Sequence, residues 1–198
     1  MTTPSDKPAI EVAYQQSGHA VMSYIIRCGL TLNNEWLPLD SSLVLPAFSE
    51  LSIEKASTEW NKITFSLGSL VTVPQVLLAG VLAQQIFTNS LTEMPPADDQ
   101  LVKEAQDLLH GYLDEYSSDD VSYEQMELKS VEWSGRIFEN VKAHMHVFWP
   151  AVSALATSLA EHKTLTENEA FKVIEGTLTP EQLARAENMK RRNRENFQ

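Results

Sequence analysis

The spacing of apolar residues predicts helices over most of the chain. Residues 8–27 form the first predicted helix, and Gly29 follows it as a stop signal. The apolar positions on one face of this helix are Ile10, Ala13, Tyr14, Val21 and Ile25. This period predicts that the face packs against the protein core.

The opposite side of the same helix carries three polar residues, Gln15, Gln16 and His19, which we call the Gln-Gln-His patch. Val12 and Ile26 lie on that side as well. A helix with apolar residues on two sides is usually buried on both. We therefore expect the patch to be covered and to need hydrogen-bond partners.

Residues 30–70 show weaker periodicity and predict a small irregular sheet. Their candidate strands are Leu30–Leu32, Ser42–Leu45 and Ile63–Leu67. The last of these alternates apolar and polar residues with a period of two, as half-buried strands do. Pro38 and Pro46 mark turns or edge positions.

The rest of the chain is predicted to be helical. The expected helices run from Pro74 to about Thr88, from Asp98 or Asp99 to Tyr112, over about residues 123–149, from Pro150 to His162, from Thr166 to near Gly176, and from Thr179 onward. Gly80, inside an apolar helix, suggests close approach by another backbone. The pattern as a whole predicts a mainly α fold, of the α+β class, with a small irregular sheet in the first third.

Length and composition are those of an ordinary globular protein. The 198 residues, 43% hydrophobic and 21% charged, allow one domain or two small ones. The lone cysteine, Cys28, cannot form an internal disulfide, which favours a reducing compartment. Neither a secretory signal nor an apolar run of membrane-spanning length is visible. We therefore expect a cytoplasmic protein without a membrane span.

The charge excludes one large class of partners. The chain has 27 acidic and 15 basic residues, for a net charge of −12. Nucleic-acid binding needs clustered cations, so we expect no nucleic-acid partner. Residues 180–198 are the exception, because bases outnumber acids there.

The segment Ala13–Val21 reads A-Y-Q-Q-S-G-H-A-V and resembles the zinc helix of the FtsH family of AAA+ metalloproteases, whose pattern is A-Y-H-E-A-G-H-A. By this resemblance Gln15 takes the place of the first zinc histidine. Gln16 takes the place of the general-base glutamate. His19 matches the second zinc histidine.

Three further stretches resemble the family in the same order. Leu77–Phe87 is similar to its L-L-A-G-R-A-A-E-E-I-F helix, and Asn140–Gly176 is similar to its closing helices. Between them, Asp98, Asp99 or neither matches the third, aspartate ligand. The resemblance covers about residues 9–176. It implies a helical FtsH-peptidase-like domain over 8–176. We expect a disordered N-terminus (1–7) before this domain and a polar C-terminal helix or tail (177–198) after it.

The chemistry of the replaced residues decides what function to expect. Gln15 offers zinc only a neutral amide oxygen, and Gln16 cannot act as a general base. We therefore expect no catalytic residue, no bound metal and no other cofactor, with His19, Asp98 and Asp99 as fallback metal ligands. No Walker motif is present, so no ATP binding is expected.

Three functions remain open at this point. The first is a non-catalytic peptidase-like domain that binds a protein partner or forms a homo-oligomer. The second is an ATP-independent zinc peptidase with an altered site. The third is a small-molecule binder in the former active-site groove. Zinc is expected as a cofactor only for the second.

Other candidate residues have simpler explanations. His144 and His146 are two apart on a helix and should face different sides. Cys28 is expected to be a buried, inert thiol. The remaining candidates are the trio Asp107, His110 and Asp114, expected to be a solvated acidic face, and the core or interface anchors Trp36, Trp60, Trp133 and Trp149.

Overall fold

The computed structural model describes residues 9–32, 48–54, 67–90, 102–108, 110 and 123–196. The helices are α1 (Ala9–Arg27), α2 (Leu67–Phe87), α3 (102–108), α4 (Tyr123–Val147), α5 (Trp149–His162), α6 (Glu167–Glu175) and α7 (Pro180–Asn196). Two short antiparallel strands, β1 (Glu50–Ser52) and β2 (Thr164–Thr166), pair with Leu51 opposite Leu165. The predicted mainly α fold with a small sheet is confirmed.

Helix α1 lies at the centre of the fold, in contact with α2, α4, α5 and α6. From Ala13 onward almost all of its side chains are buried, on both of the apolar sides seen in the sequence. Burial of apolar surface stabilises this arrangement by about 25 cal/mol per Å². The prediction that α1 is covered on two sides is therefore confirmed.

Gly29 ends α1 as predicted. Its φ of 61° is left-handed, a conformation that glycine adopts without a steric penalty. The N–H of Leu30 donates to the carbonyl of Ile25 at 2.9 Å, and that of Gly29 donates to Ile26 at 3.2 Å. These two bonds form a Schellman motif, which satisfies the last carbonyls of the helix.

Helices α1 and α2 approach each other unusually closely. A Cβ atom on Gly18 would lie 2.4 Å from the carbonyl oxygen of Ala79 and 2.6 Å from the Cβ of Ala83. At Gly80 the neighbour is the imidazole ring of His19 rather than a backbone. The prediction of a close approach at Gly80 is thus right, but its partner is a side chain, and the backbone contact lies at Gly18.

Helix α2 begins seven residues before the predicted start. We expected Pro74 to open the helix, but the helix begins at Leu67 and Pro74 lies inside it. Proline removes one hydrogen bond of the helix interior. Pro74 is buried, like most of the helix that follows it, and this burial offsets the loss.

The predicted strand at Leu30–Leu32 is wrong. The N–H of Leu30 caps α1, and the N–H of Leu32 donates to Nε2 of His144 at 2.9 Å, so neither pairs in a sheet. Ser42–Leu45 and residues 63–66 lie outside the described residues, and Leu67 begins α2. The early strand of the observed sheet is β1, and its partner β2 comes from the last third of the chain.

The C-terminal helices begin where their local signals predict. Pro150 lies in the first turn of α5. Thr166 and Glu169 form the predicted capping box of α6. Thr179 and Gln182 bond reciprocally at the start of α7. Helix α7 also packs on the domain, since its Ala186 is buried.

Within the described part of the chain, no helix has both the length and the apolar character needed to cross a membrane.

Candidate functional site

The Gln-Gln-His patch lies in the middle of α1 and is covered by the fold. Gln16 is 3% exposed and His19 is 4% exposed, while Gln15 is half-buried. The expectation of a covered patch is confirmed for Gln16 and His19. These two side chains belong to the interior of the protein rather than to a solvated surface.

A hydrogen bond and a tight contact hold His19 between α1 and α2. Its Nδ1 lies 2.7 Å from the carbonyl oxygen of Val76. A carbonyl only accepts, so Nδ1 carries the proton and, in the neutral ring, Nε2 carries the lone pair. The ring lies against Gly80, where an added Cβ would come within 2.2 Å of Cε1 and 2.3 Å of Nε2. Glycine at position 80 is what makes room for the imidazole.

One glutamine of α2 contacts the same helix. Nε2 of Gln84 donates to the carboxylate of Glu11 at 2.9 Å, which ties the end of α2 to the start of α1. The side-chain oxygen of Gln85 is buried and has no hydrogen-bond partner among the described residues. The same holds for the hydroxyl of Ser17. Helices α1 and α2 therefore carry both satisfied and unsatisfied polar groups.

The donors at the patch do not fit a zinc site. A zinc enzyme supplies three protein ligands, usually imidazole, thiolate or carboxylate. Here one imidazole stands beside two amides, and in the described ranges no three His, Cys, Asp or Glu side chains lie close enough to hold a metal. Asp98 and Asp99 lie outside the described residues. Gln16 has no titratable proton, so it cannot take the role that the general-base glutamate has in a zinc peptidase.

A stack of three aromatic rings is centred on Tyr14 of α1, the residue directly before the patch. The centroid of the Tyr14 ring lies 4.0 Å from that of Phe87 and 5.5 Å from that of Trp149. The plane of the Tyr14 ring is within 18° of each of the other two. The stack joins α1, α2 and α5. Trp149 is the predicted anchor, but the sequence alone does not reveal the stack because its three rings come from three separate helices.

His144 and His146 face different sides of α4, as predicted. His144 is fully buried, whereas His146 is exposed. The Nδ1–H of His144 donates to the carbonyl of Asn140 at 2.7 Å, and its Nε2 accepts from the N–H of Leu32. Burial lowers the pKa of His144. The pair cannot bind one metal.

None of the other candidates forms a site within the part of the chain that the structure describes. Cys28 is buried, and burial raises the pKa of its thiol, so it is protonated as expected of an inert cysteine. Asp107 is exposed and His110 is half-buried. Trp133 is half-buried as well. The remaining positions, Asp114, Trp36 and Trp60, lie outside the described residues.

Replacing Gln16 by leucine tests the burial of the patch. We expect the free energy of unfolding to fall by about 1–2 kcal/mol, because the change strands the groups that Gln16 contacts in the interior. Urea melts of the wild type and of Gln16→Leu measure this. An exposed position would shift by less than about 0.5 kcal/mol, so an unchanged midpoint contradicts the buried patch.

Comparison with known proteins does not place the chain in a family. No family model matches it, and no curated protein matches its sequence. The similarity of Ala13–Val21 to the FtsH zinc helix therefore rests on the residues quoted above.

Proposed function

We propose that the chain is a non-catalytic, FtsH-peptidase-like domain that acts in protein binding or in self-assembly. The chemistry of positions 15 and 16 carries this proposal. Both glutamines approximate the size of the residues that they replace in the resemblance, but neither supplies what hydrolysis needs. Gln15 is a poor zinc ligand, and Gln16 cannot remove a proton from water.

The packing around His19 supports the proposal, because it gives this histidine a structural role that does not depend on catalysis. The imidazole is fixed by Val76 and fits the space above Gly80. A ring held in this way contributes to the α1–α2 interface whether or not it has a ligand. Its presence therefore does not require a metal.

A second candidate is an ATP-independent zinc peptidase with an altered site, and one observation favours it. With Nδ1–H of His19 donating to a carbonyl, the neutral ring has the tautomer of most metal-ligating histidines. This candidate needs additional ligands, for which Asp98 and Asp99 are the sequence candidates. Zinc content separates it from the first.

Elemental analysis of the protein, purified without added zinc, should find well under one zinc per chain. The reason is that a neutral amide stands where a second imidazole would be required. The same preparation should not hydrolyse unstructured protein substrates. One tightly held zinc that is lost on His19→Ala would establish the zinc peptidase instead.

Sedimentation velocity then separates the two non-catalytic roles, since a discrete oligomer indicates self-assembly and a monomer indicates a separate protein partner.

The double substitution Gln15→His with Gln16→Glu restores the family pattern on α1. We expect the variant to fold with an unchanged helical circular dichroism spectrum, because both changes approximately conserve size. We expect its zinc affinity to exceed that of the wild type, since two imidazoles one helical turn apart reach one metal. Gln15→His alone is the matched control for affinity without the added carboxylate. Aggregation of the double variant would contradict the assignment of these positions.

A further inference from the structure

A cleft with a volume of about 410 Å³ lies between the C-terminal end of α1 and helix α7. Its lining residues are Cys28, Gly29, Arg185, Asn188, Met189 and Arg192. This volume is at the lower end of the range for small-molecule sites. The cleft lies more than two helical turns beyond His19 along α1 and shares no residue with the Gln-Gln-His patch.

The long polar side chains of the cleft offer hydrogen-bond donors. Arg185, Asn188 and Arg192 follow one another at spacings of three and four and so share one face of α7. A guanidinium group has five N–H donors, no acceptor, and a permanent positive charge. The side-chain oxygen of Asn188 accepts from Arg191 at 3.2 Å, so the polar atoms that Asn188 can still offer a ligand are its amide N–H donors. The donor set suits an anion.

The two arginines have no carboxylate partner in the part of the chain that the structure describes. The cations that do form ion pairs there include Arg27 with Glu167 and Lys190 with Glu175. Neither Arg185 nor Arg192 takes part in such a pair. In a chain of net charge −12, two exposed guanidinium groups beside one cleft and without a paired carboxylate indicate a place for an external anion.

The middle of the cleft, where α7 meets the end of α1, is weakly polar and tightly packed. Met189 packs on Gly29, where an added Cβ would lie 2.8 Å from the methionine Cε. Cys28 contributes a buried thiol. Arg185 and Arg192 are seven residues apart, so their Cα atoms lie about 10 Å apart along the helix axis. The geometry therefore offers two positive ends joined by a weakly polar middle.

We infer that this cleft binds a small organic dianion whose two anionic groups pair with Arg185 and Arg192 while its carbon chain lies against Met189 and Gly29. Dicarboxylates and diphosphates share this chemistry. Arginine suits both, because its planar fork binds carboxylate and phosphate oxygens in a bidentate manner. The inference is independent of the peptidase-like role proposed above.

The test is isothermal titration of the full chain with straight-chain dicarboxylates from succinate to suberate, with monocarboxylates of equal length, and with inorganic pyrophosphate. We expect at least one dianion to bind at least about tenfold more tightly than its monoanionic match, with an affinity that falls as salt rises. If the dicarboxylates bind more tightly than pyrophosphate, the natural ligand carries carboxylates, and the reverse order indicates phosphates. Equal binding of mono- and dianions, or no binding by any probe, overturns the inference.

Variants locate the binding. Arg185→Gln and Arg192→Gln should each lower the affinity for the tightest-binding dianion by at least about tenfold. Both side chains are exposed, so the variants should fold, and thermal melts without ligand verify this. Lys172→Gln removes one exposed positive charge from α6, outside the cleft, and should leave affinity unchanged. Equal losses in all three variants would indicate only a general charge effect and would overturn the site.

The lone cysteine supplies an independent measurement. Because Cys28 is buried, a thiol reagent reaches it only when the contact between α1 and α7 opens locally, and a dianion that binds the closed form should slow the modification at least about threefold once about two thirds of the sites are occupied. The protection should disappear in Arg185→Gln. Protection that persists in this variant would place the anion elsewhere and would contradict the inference.

Discussion

Replacing Gly18 by alanine should lower the free energy of unfolding by about 3 kcal/mol, at the upper end of what overpacking usually costs. The new methyl group would lie 2.4 Å from the carbonyl oxygen of Ala79 and 2.9 Å from its carbonyl carbon. These are backbone atoms, so no side chain can rotate to make room. Helices α1 and α2 would have to separate, and α1 is the centre of the core.

Gly135→Ala is the matched control for this prediction. Gly135 also lies inside a helix, but a Cβ atom there would meet nothing within 4 Å. Alanine favours a helix interior over glycine, so this variant should gain up to about 1 kcal/mol. Urea melts of both variants measure the contrast. Equal effects at the two positions would contradict the close approach of α1 and α2.

Stability should fall steeply in acid because of His144, whose neutral ring joins α4 to the segment after α1. Burial lowers its pKa in the folded protein, whereas an unfolded histidine titrates near about 6.5. Above that pH both states are neutral and the contribution is constant. Below it the unfolded chain binds a proton that the native ring does not. This costs up to about 1.4 kcal/mol of stability per pH unit until the native pKa is reached.

The loss of stability in acid corresponds to the loss of one hydrogen bond, between His144 and Leu32. Protonated Nε2 cannot accept from the N–H of Leu32, and both would then be donors at a separation of 2.9 Å. His144→Gln retains an acceptor without a titrating proton, so it should flatten the pH dependence. Urea melts between about pH 8 and about pH 5 measure the slopes. His146→Gln, on the exposed side of α4, should retain the wild-type slope. A slope in His144→Gln as steep as that of the wild type would contradict the assignment.

The parts of the fold that were predicted correctly depend on local signals. Gly29 ends α1 because a left-handed residue is needed there, and the requirement is visible in one residue. Thr166 and Glu169 cap α6 through bonds that span three residues. The two-sided apolar pattern of residues 8–27 predicts burial without any knowledge of the neighbours. Each of these inferences uses only a short stretch of sequence.

The parts that were missed depend on contacts between distant segments. Pro74 is a common first-turn residue, and only the burial of α2 shows that it can lie inside the helix. Leu30–Leu32 has the composition of a strand, but the N–H of Leu30 donates to Ile25 and the N–H of Leu32 donates to His144. At the site, the burial of Gln16 and His19 was predictable. The bond from His19 to Val76 was not, because 57 residues separate the partners.

The pairing of β1 with β2 has a consequence for the order in which the chain folds. Leu51 can meet its partner Leu165 only after all of the chain between them has been made, and α5, which packs on α1, lies in the same later part of the sequence. Closing so long a loop costs entropy before its contacts stabilise anything. On the ribosome, α2 can pack on α1 early, but the side of α1 that contacts α5 stays uncovered until residues 149–162 have emerged. Until α5 has emerged, this uncovered side of the first helix is an apolar surface that a chaperone would bind.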